Sequence, residues 1–524
     1  MKHSPRNAAE RFVRFCGGAA LALLLAVLIP LAVSSLGITV FESIYGNYEE
    51  SITFLRDSVL PNIALTLLVL AALLGCRALL ERFARVRLSL VCCAVWLAVA
   101  LLWIVGIGLQ QEVDCKDVVD AAILFSRGNY RPLRVAYYSA YPYQLAVCLF
   151  LEVILRLIPG VDINLFMQVL NVLLSTCTMG LLAALSALVF EEERARLGTQ
   201  VMLMAFVPFL LFNTYVYGTV PMLFLVSLAL LSFARYVRTR RARHAALYVL
   251  AMGAAYAAKQ NALIPILAVL ICAVLDAIRT RDVKMVVCAV LALLLGAGLS
   301  RFAVWQYELR SGMQLGAPIS ALARLVMGLQ ESQTCAGWFN GYTAPFIDLS
   351  VTAQMQREIA SADLAQRLAE LAADPGMTLL FLRDKYLSQW LEPGYSTLWY
   401  GFRCDWLGRF NGLAALLYRE NSPVRAVVEG YMNLYQQAFY AMAVIGTAAC
   451  LKRRGDVTAL VLPVSVFGGF LFHMLFEAKS QYIFVYAVYL MPLAGYGLAV
   501  TGAWLRRLLG AAMKRSPSRS GSVA

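Results

Sequence analysis

Charge is scarce in this chain. Of its 524 residues only 15% are Asp, Glu, Lys or Arg, and the mean hydropathy is +0.70. An ordinary soluble domain carries about 25% charged residues, so that class is excluded. Histidine is scarcer still, with three in all. His3 lies in the N-terminal tail and His244 in a basic loop, and a lone His473 within an apolar run is ordinarily a packing residue, so no zinc site is supported. Twelve cysteines show no CxxC metal or redox spacing, and most lie in apolar runs where they behave as small hydrophobes. Only Cys115, Cys335 and Cys404 are assigned to outer loops, and pairing of Cys335 with Cys404 on an oxidising face is left open. Acids are the rarer sign, 31 against 45 basic residues. Where they lie is therefore the best clue to chemistry.

What the chain has is apolar length. Runs long enough to cross about 30 Å of hydrocarbon recur along most of it. They are continuous and do not alternate residue by residue, which excludes a β-barrel. The sequence predicts an all-α polytopic membrane protein of about 12–13 transmembrane helices. The spans are Phe15–Gly37, Val59–Cys76, Leu88–Leu109, Leu165–Phe190, Val201–Phe212, Val220–Ala234, Ala246–Ala258, Ala262–Ile278, Met285–Arg301, Tyr431–Leu451, Thr458–Met474 and Ile483–Leu505. The first is too long for a signal-peptide core and is read as an uncleaved span.

The net charge of +14 does not point to nucleic acid, because the basic residues form short clusters between apolar runs and no basic domain. Anionic lipid headgroups are the expected neighbours. The run Tyr143–Ile158 decides the topology. It is short and carries Glu152 and Arg156; if it crossed fully, the rich basic loop Arg235–His244 would fall outside. Read as a half-inserted or interfacial helix, it leaves every basic cluster inside, from the N-terminus to Lys452–Arg454 and the C-terminal tail. Both termini are then cytoplasmic in a plasma membrane. The expected divisions are 1–110, an N-terminal tail and three spans; 111–162, an acidic outer loop with interfacial and half-inserted helices; and 163–301, the helical core. Then come 302–430, a large mostly helical outer domain; 431–505, the last spans; and 506–524, a disordered basic tail.

The polar motifs then gather on one face. Asp114-Cys-Lys-Asp117-Val-Val-Asp120 follows a span directly, where carboxylates are costly to keep unless used. The cluster Tyr137-Tyr138-Ser-Ala-Tyr141-Pro142-Tyr143-Gln144 comes next. In the long outer loop, 350–373 reads as a helix stopped at Asp374-Pro375-Gly376, and Met377–Trp390 as a second. Trp338, Trp390, Trp399 and Trp406 there suit a surface at headgroup depth.

These features together resemble the GT-C integral membrane glycosyltransferases, such as the protein O-mannosyltransferases and the aminoarabinose transferases of lipid A. An outer-loop acid after an early span stands at Asp114 or Asp117, and Asp117 to Tyr130 resembles the family's surface helix. Tyr141-Pro142-Tyr143-Gln144 is similar to the Pro-containing start of its next helix. Tyr256-Ala-Ala-Lys259-Gln-Asn resembles a segment where a lysine ends a span near the active site. Glu477-Ala-Lys479-Ser-Gln481-Tyr482 is similar to a Glu motif followed by Arg-Tyr, with Gln481 where the arginine stands. Two extra early spans mark a divergent branch or an N-terminal addition.

The resemblance implies transfer of a sugar from a polyprenyl-phosphate donor to a glycan, lipid or protein acceptor on the outer face. Such chemistry needs a base for the acceptor hydroxyl and cations for the leaving phosphate. Asp114 is the first choice as base and Asp117 the second, with Asp120 on a solvated face. Lys259, Lys385, Arg383 and Lys479 are the candidate phosphate ligands. Tyr138, Tyr141, Tyr143, Gln144, Glu477 and Tyr482 are the candidate substrate contacts. No cofactor is settled; a divalent cation is left open, though the residues do not argue for it. The alternatives are a flippase or exporter of lipid-linked sugars, or an outer-face polysaccharide polymerase or ligase.

Overall fold

The computed structural model describes residues 5–45, 49–82, 85–135, 137–347, 351–404 and 410–515. Among them, ten helices are long and apolar enough to cross a membrane: Ala8–Ser34, Val59–Leu80, Leu88–Ile107, Ile163–Phe190, Thr219–Thr239, Gln260–Thr280, Lys284–Ser311, Pro423–Arg453, Val457–Leu475 and Ser480–Leu509. Two further sequence spans are also helical. Ala242–Ala258 has 17 residues, about 25 Å at about 1.5 Å per residue, and packs along its neighbours Thr219–Thr239 and Lys284–Ser311. The expected straight span Val201–Phe212 is instead a pair, Glu193–Ala205 and Val207–Thr214, bent by 71°. Pro208 has no N–H to give, so the helix breaks at Phe206 and restarts with proline in its first turn. The protein is a multi-pass α-helical membrane protein.

The last helix, Ser480–Arg515, is the axis of the bundle. Its span is 89% buried, and it packs chiefly on Pro423–Cys450 and Glu193–Ala205. Lipid offers no hydrophobic drive for helices to associate, so close backbone approach takes that role. A Cβ on Gly446 would stand 1.9 Å from the Leu493 carbonyl oxygen, which only glycine avoids.

Three features depart from the sequence expectation. Between the first two spans lies a β-hairpin, Ile38–Tyr45 against Glu49–Arg56, with Ile38 opposite Arg56. Its alternation of Val40 and Glu42 inward with Phe41 and Ser43 less buried is too short to stand out among long apolar runs. Trp338, Trp390 and Trp399 are buried, not resting at a surface, while Trp406 and the tail 516–524 lie outside the described residues. The reason is the path of Pro375–Trp390. This helix turns into the bundle: the Tyr386 hydroxyl donates to the Val27 carbonyl in the first span, and the Gln389 amide to the His473 carbonyl at 3.3 Å. The Tyr440 hydroxyl and Gln436 amide donate to the Trp390 carbonyl. Finally, the boundaries drawn at 301/302 and 430/431 fall inside continuous helices, Lys284–Ser311 and Pro423–Cys450.

The ambiguous run resolves as a short helix, Leu145–Leu157, of 13 residues or about 20 Å, too short to cross. Its Glu152 is 1% exposed and accepts two hydrogen bonds from Arg310, at 2.6 and 3.0 Å, plus one from Arg156 at 2.8 Å. Arg310 comes from the end of Lys284–Ser311, so that long helix reaches past its own span to hold the short one in place.

The basic loops meet at one end of the bundle. There Arg238 bridges Glu191 and Asp456, Arg453 reaches Glu191, and Arg240 and Arg279 share Asp276. Arg77, 1% exposed, pairs with Glu81, which also takes Arg506. The acidic loop, Lys259 and the Glu477–Lys479 turn lie at the opposite ends of the same helices.

Candidate functional site

The helix Val113–Ser126 starts under strain. Val113, a β-branched residue, holds φ +52° in the left-handed region that such side chains avoid. Side-chain anchors fix that geometry. The buried Gln111 amide donates to the Thr214 carbonyl at 2.9 Å and its oxygen accepts the Val216 N–H at 2.9 Å. The Tyr400 hydroxyl donates to the Glu112 carbonyl at 2.9 Å. Asp114 follows immediately.

Asp114 is open to solvent-sized access, yet protein surrounds it closely enough that burial raises its carboxyl above the usual range. Lys479 and Lys259 oppose that rise, while Asp117 and Glu50 reinforce it. Asp114 thus borders a cluster of charged and aromatic side chains around Tyr141 and Tyr143. No hydrogen bond or ion pair among the described residues engages its carboxylate.

Cations face it from other elements. Lys259 caps Ala242–Ala258, donates to the Thr219 hydroxyl at 2.7 Å and sits 4.9 Å from the centre of the Tyr217 ring. Burial pulls its ammonium down to about 8, against the pull of Cys115 and Asp114. Gly218 makes this junction fit, since a Cβ there would lie 2.0 Å from the Ala258 carbonyl oxygen. Lys479 pairs with Glu50 of the hairpin and stands 4.5 Å from the Trp399 ring centre. Burial disfavours its charge, but Glu50 and Glu42 outweigh that and hold its pKa above the ordinary value. Arg324, on the helix Ala321–Gly328, lies over both Tyr141 and Tyr143, at 5.5 and 5.6 Å, with its Nε buried and unpaired.

Glu477 completes the ring. Burial lifts it to about 7, although Lys479 and Arg324 pull the other way, and it accepts from the Tyr482 hydroxyl at 3.3 Å. Tyr141 and Tyr143 meet edge to face, 6.1 Å apart. The cluster thus holds one acid without a hydrogen-bonded partner, a second acid raised by burial, and two cations, Lys259 and Arg324, that make no ion pair among the described residues.

The sequence candidates divide accordingly. Asp114, Lys259, Lys479, Glu477, Tyr141, Tyr143 and Tyr482 come together. Gln144 is buried behind them and donates to the Tyr217 hydroxyl. Tyr138 is 3% exposed and donates to the Asp117 carbonyl at 2.9 Å, so its hydroxyl is engaged in holding the rim helix. Asp117 lies on the exposed side of its helix with Lys116 and Asp120, which pair with each other; burial and Asp120 raise its carboxyl. Arg383 lies apart from this cluster, paired with Asp384 at 2.7 Å. Lys385 has no exposure and donates to the Gly328 and Phe476 carbonyls, so it braces the turn that carries Glu477. Cys335 and Cys404 are free thiols.

Sequence reasoning missed Glu50, Arg324, Tyr217 and Trp399. Nothing local marks Glu50 between the first two spans, or Arg324 among the charges of a long loop. Among the described residues no three His, Cys, Asp or Glu side chains are grouped to hold a metal ion. No family model and no curated protein matches the chain.

Proposed function

We propose that this protein is a membrane glycosyltransferase of GT-C type that moves a sugar from a polyprenyl-phosphate donor to an acceptor on the outer face of the plasma membrane. The observation that carries the reading is Asp114, an acid free of hydrogen-bonded partners and raised by burial, with Lys479 and Lys259 close enough to act on it and Arg324 across Tyr141 and Tyr143.

In this reading Asp114 takes the proton of the acceptor hydroxyl as its oxygen bonds to the anomeric carbon. The bond from that carbon to the phosphate oxygen breaks, and its electron pair leaves with the lipid phosphate. Lys259 and Arg324 meet the charge that develops there, in an enclosed site where electrostatic stabilisation is strong. Lys479, already shared with Glu50, is the weaker phosphate ligand. Tyr141 and Tyr143 offer aromatic faces to the sugar. A transporter reading has less support, because the unpaired charges gather at one end and not along a path through the bundle.

The test is direct. Purified protein is incubated with a panel of polyprenyl-phosphate sugars, and release of lipid phosphate is followed. Transfer that disappears in Asp114→Asn, with the variant folded, supports the assignment. Failure with every donor in a folded preparation defeats it.

A further inference from the structure

The turn that follows the rim helix Val113–Ser126 carries three exposed arginines, Arg127, Arg131 and Arg134. The turn is a fixed platform. The Asn129 and Gly128 N–H groups close back on the Leu124 and Phe125 carbonyls at 2.9 and 3.0 Å. The Asn129 side chain accepts the Arg131 N–H at 3.1 Å, Pro132 opens a short 3-10 helix, and Leu133 is buried. Tyr130 stacks on Phe125 at 5.9 Å and lies 5.7 Å from the Arg310 guanidinium, which docks the turn on the end of Lys284–Ser311.

None of the three guanidinium groups has an ion pair or hydrogen bond among the described residues. Acids of the neighbouring elements are committed elsewhere. Glu152 holds Arg310 and Arg156, Asp120 holds Lys116, and Asp162 caps the helix it precedes. Glu308 accepts the Leu315 N–H at 3.0 Å. At the far end of the bundle, by contrast, arginines are spent on Glu191, Asp456 and Asp276. Beside the platform, Phe302, Trp305 and Leu309 are exposed on Lys284–Ser311, and their helical spacing makes them one apolar stripe. Leu157, next to Arg156, is exposed as well.

We infer that this face binds an anionic phospholipid of the adjoining leaflet, its phosphate on Arg127, Arg131 and Arg134 and its acyl chains along Phe302, Trp305 and Leu309. Charge fits that occupant, because the guanidinium fork matches phosphate oxygens in geometry as well as in sign. Position fits it too. Tryptophan favours the membrane–water boundary, and Trp305 stands about one and a half helical turns before Arg310. A soluble polyanion accounts for the arginines but not for the apolar stripe beside them. Arginines at a bilayer surface draw anionic headgroups over zwitterionic ones. The bound lipid would steady the turn, and with it the far end of the helix that carries Asp114. The inference does not depend on the transferase reading.

Trp305 reports on this face directly. The full chain is placed in phosphatidylcholine nanodiscs that contain a brominated quencher lipid, either phosphatidylglycerol or phosphatidylcholine, at equal mole fraction. The Trp305 signal is the difference between wild type and Trp305→Phe. Brominated phosphatidylglycerol should quench it about twofold more than brominated phosphatidylcholine. Arg127→Gln, Arg131→Gln and Arg134→Gln in combination should remove that preference and leave quenching by phosphatidylcholine unchanged. Arg131→Gln alone, at an exposed side chain, should lower the preference in the same direction. Equal quenching of the wild type by the two lipids overturns the site, as does a preference that survives these substitutions. Inorganic phosphate should compete no better than chloride at matched ionic strength; stronger competition assigns the arginines to a soluble anion and overturns the lipid. None of these readouts involves sugar transfer, so they fail or succeed apart from it.

Discussion

The two ends of the bundle handle charge in opposite ways. At one end, arginines and acids neutralise one another in shared bridges: Arg238 with Glu191 and Asp456, Arg240 and Arg279 with Asp276. At the other end, Asp114, Lys259 and Arg324 form no ion pairs among the described residues, although Asp114 and Arg324 both lie near Tyr141 and Tyr143. Paired charge is what a protein uses to join loops. Unpaired charge held at a membrane rim is expensive, and the expense persists where a substrate is the missing partner. Under the proposed function, the contrast separates residues that hold the molecule together from residues that act.

The sharpest way to break that contrast is at Asp114. Asp114→Asn should lower transfer by about 100- to 10,000-fold, the range of a general base, while Tm stays within a few degrees of wild type. A variant retaining full turnover removes Asp114 as base. The wild-type rate should also fall as pH drops through the carboxyl's raised pKa, because the base is lost on protonation. That inflection should sit above the ordinary Asp value near about 3.9, and D114N should abolish it. An inflection at the ordinary value argues that Asp114 is solvated, not enclosed.

Arg324→Met comes next, with an expected loss of about 100-fold in kcat, typical of removing one charge-stabilising donor. Binding of a sugar-free lipid phosphate should weaken in parallel, and unchanged binding assigns Arg324 to the aromatic wall alone. At the paired end the expectation reverses. Asp276→Asn should cost about 2–3 kcal/mol of stability, at the low side for breaking a buried pair because Arg240 and Arg279 are about one third exposed. Turnover per folded molecule should be unchanged. The smallest effect belongs to Arg383→Ala, where the exposed pair with Asp384 is worth about 0–1 kcal/mol and activity should not move.

Much of the helical plan was legible in the sequence, because an apolar run of span length has few alternatives in lipid. The short run around Glu152 was placed by counting basic loops, and its 13-residue helix fits that reading. Pro208 was equally visible but its 71° bend was not, since proline allows either a kink or a break and tertiary packing decides. The site was half readable. Asp114, Lys259 and the Glu477–Lys479 turn stand at span ends, where hydropathy changes and draws attention. Arg324 and Glu50 reach the cluster only through long-range folding, and Lys385, read as a phosphate ligand, is instead sealed against two backbone carbonyls because its helix turns inward. Such residues have no local signature.

That inward turn also has a consequence for the order of events during synthesis. The polar groups near the tip of Pro375–Trp390 are satisfied by Gln436, Tyr440 and His473, all of which emerge from the ribosome later. Until the last helices arrive, the tip lacks these partners, although Tyr386 already has the Val27 carbonyl and Lys385 the Gly328 carbonyl. The fixing of that tip, and of the turn bearing Glu392 that follows it, therefore waits for the C-terminal helices.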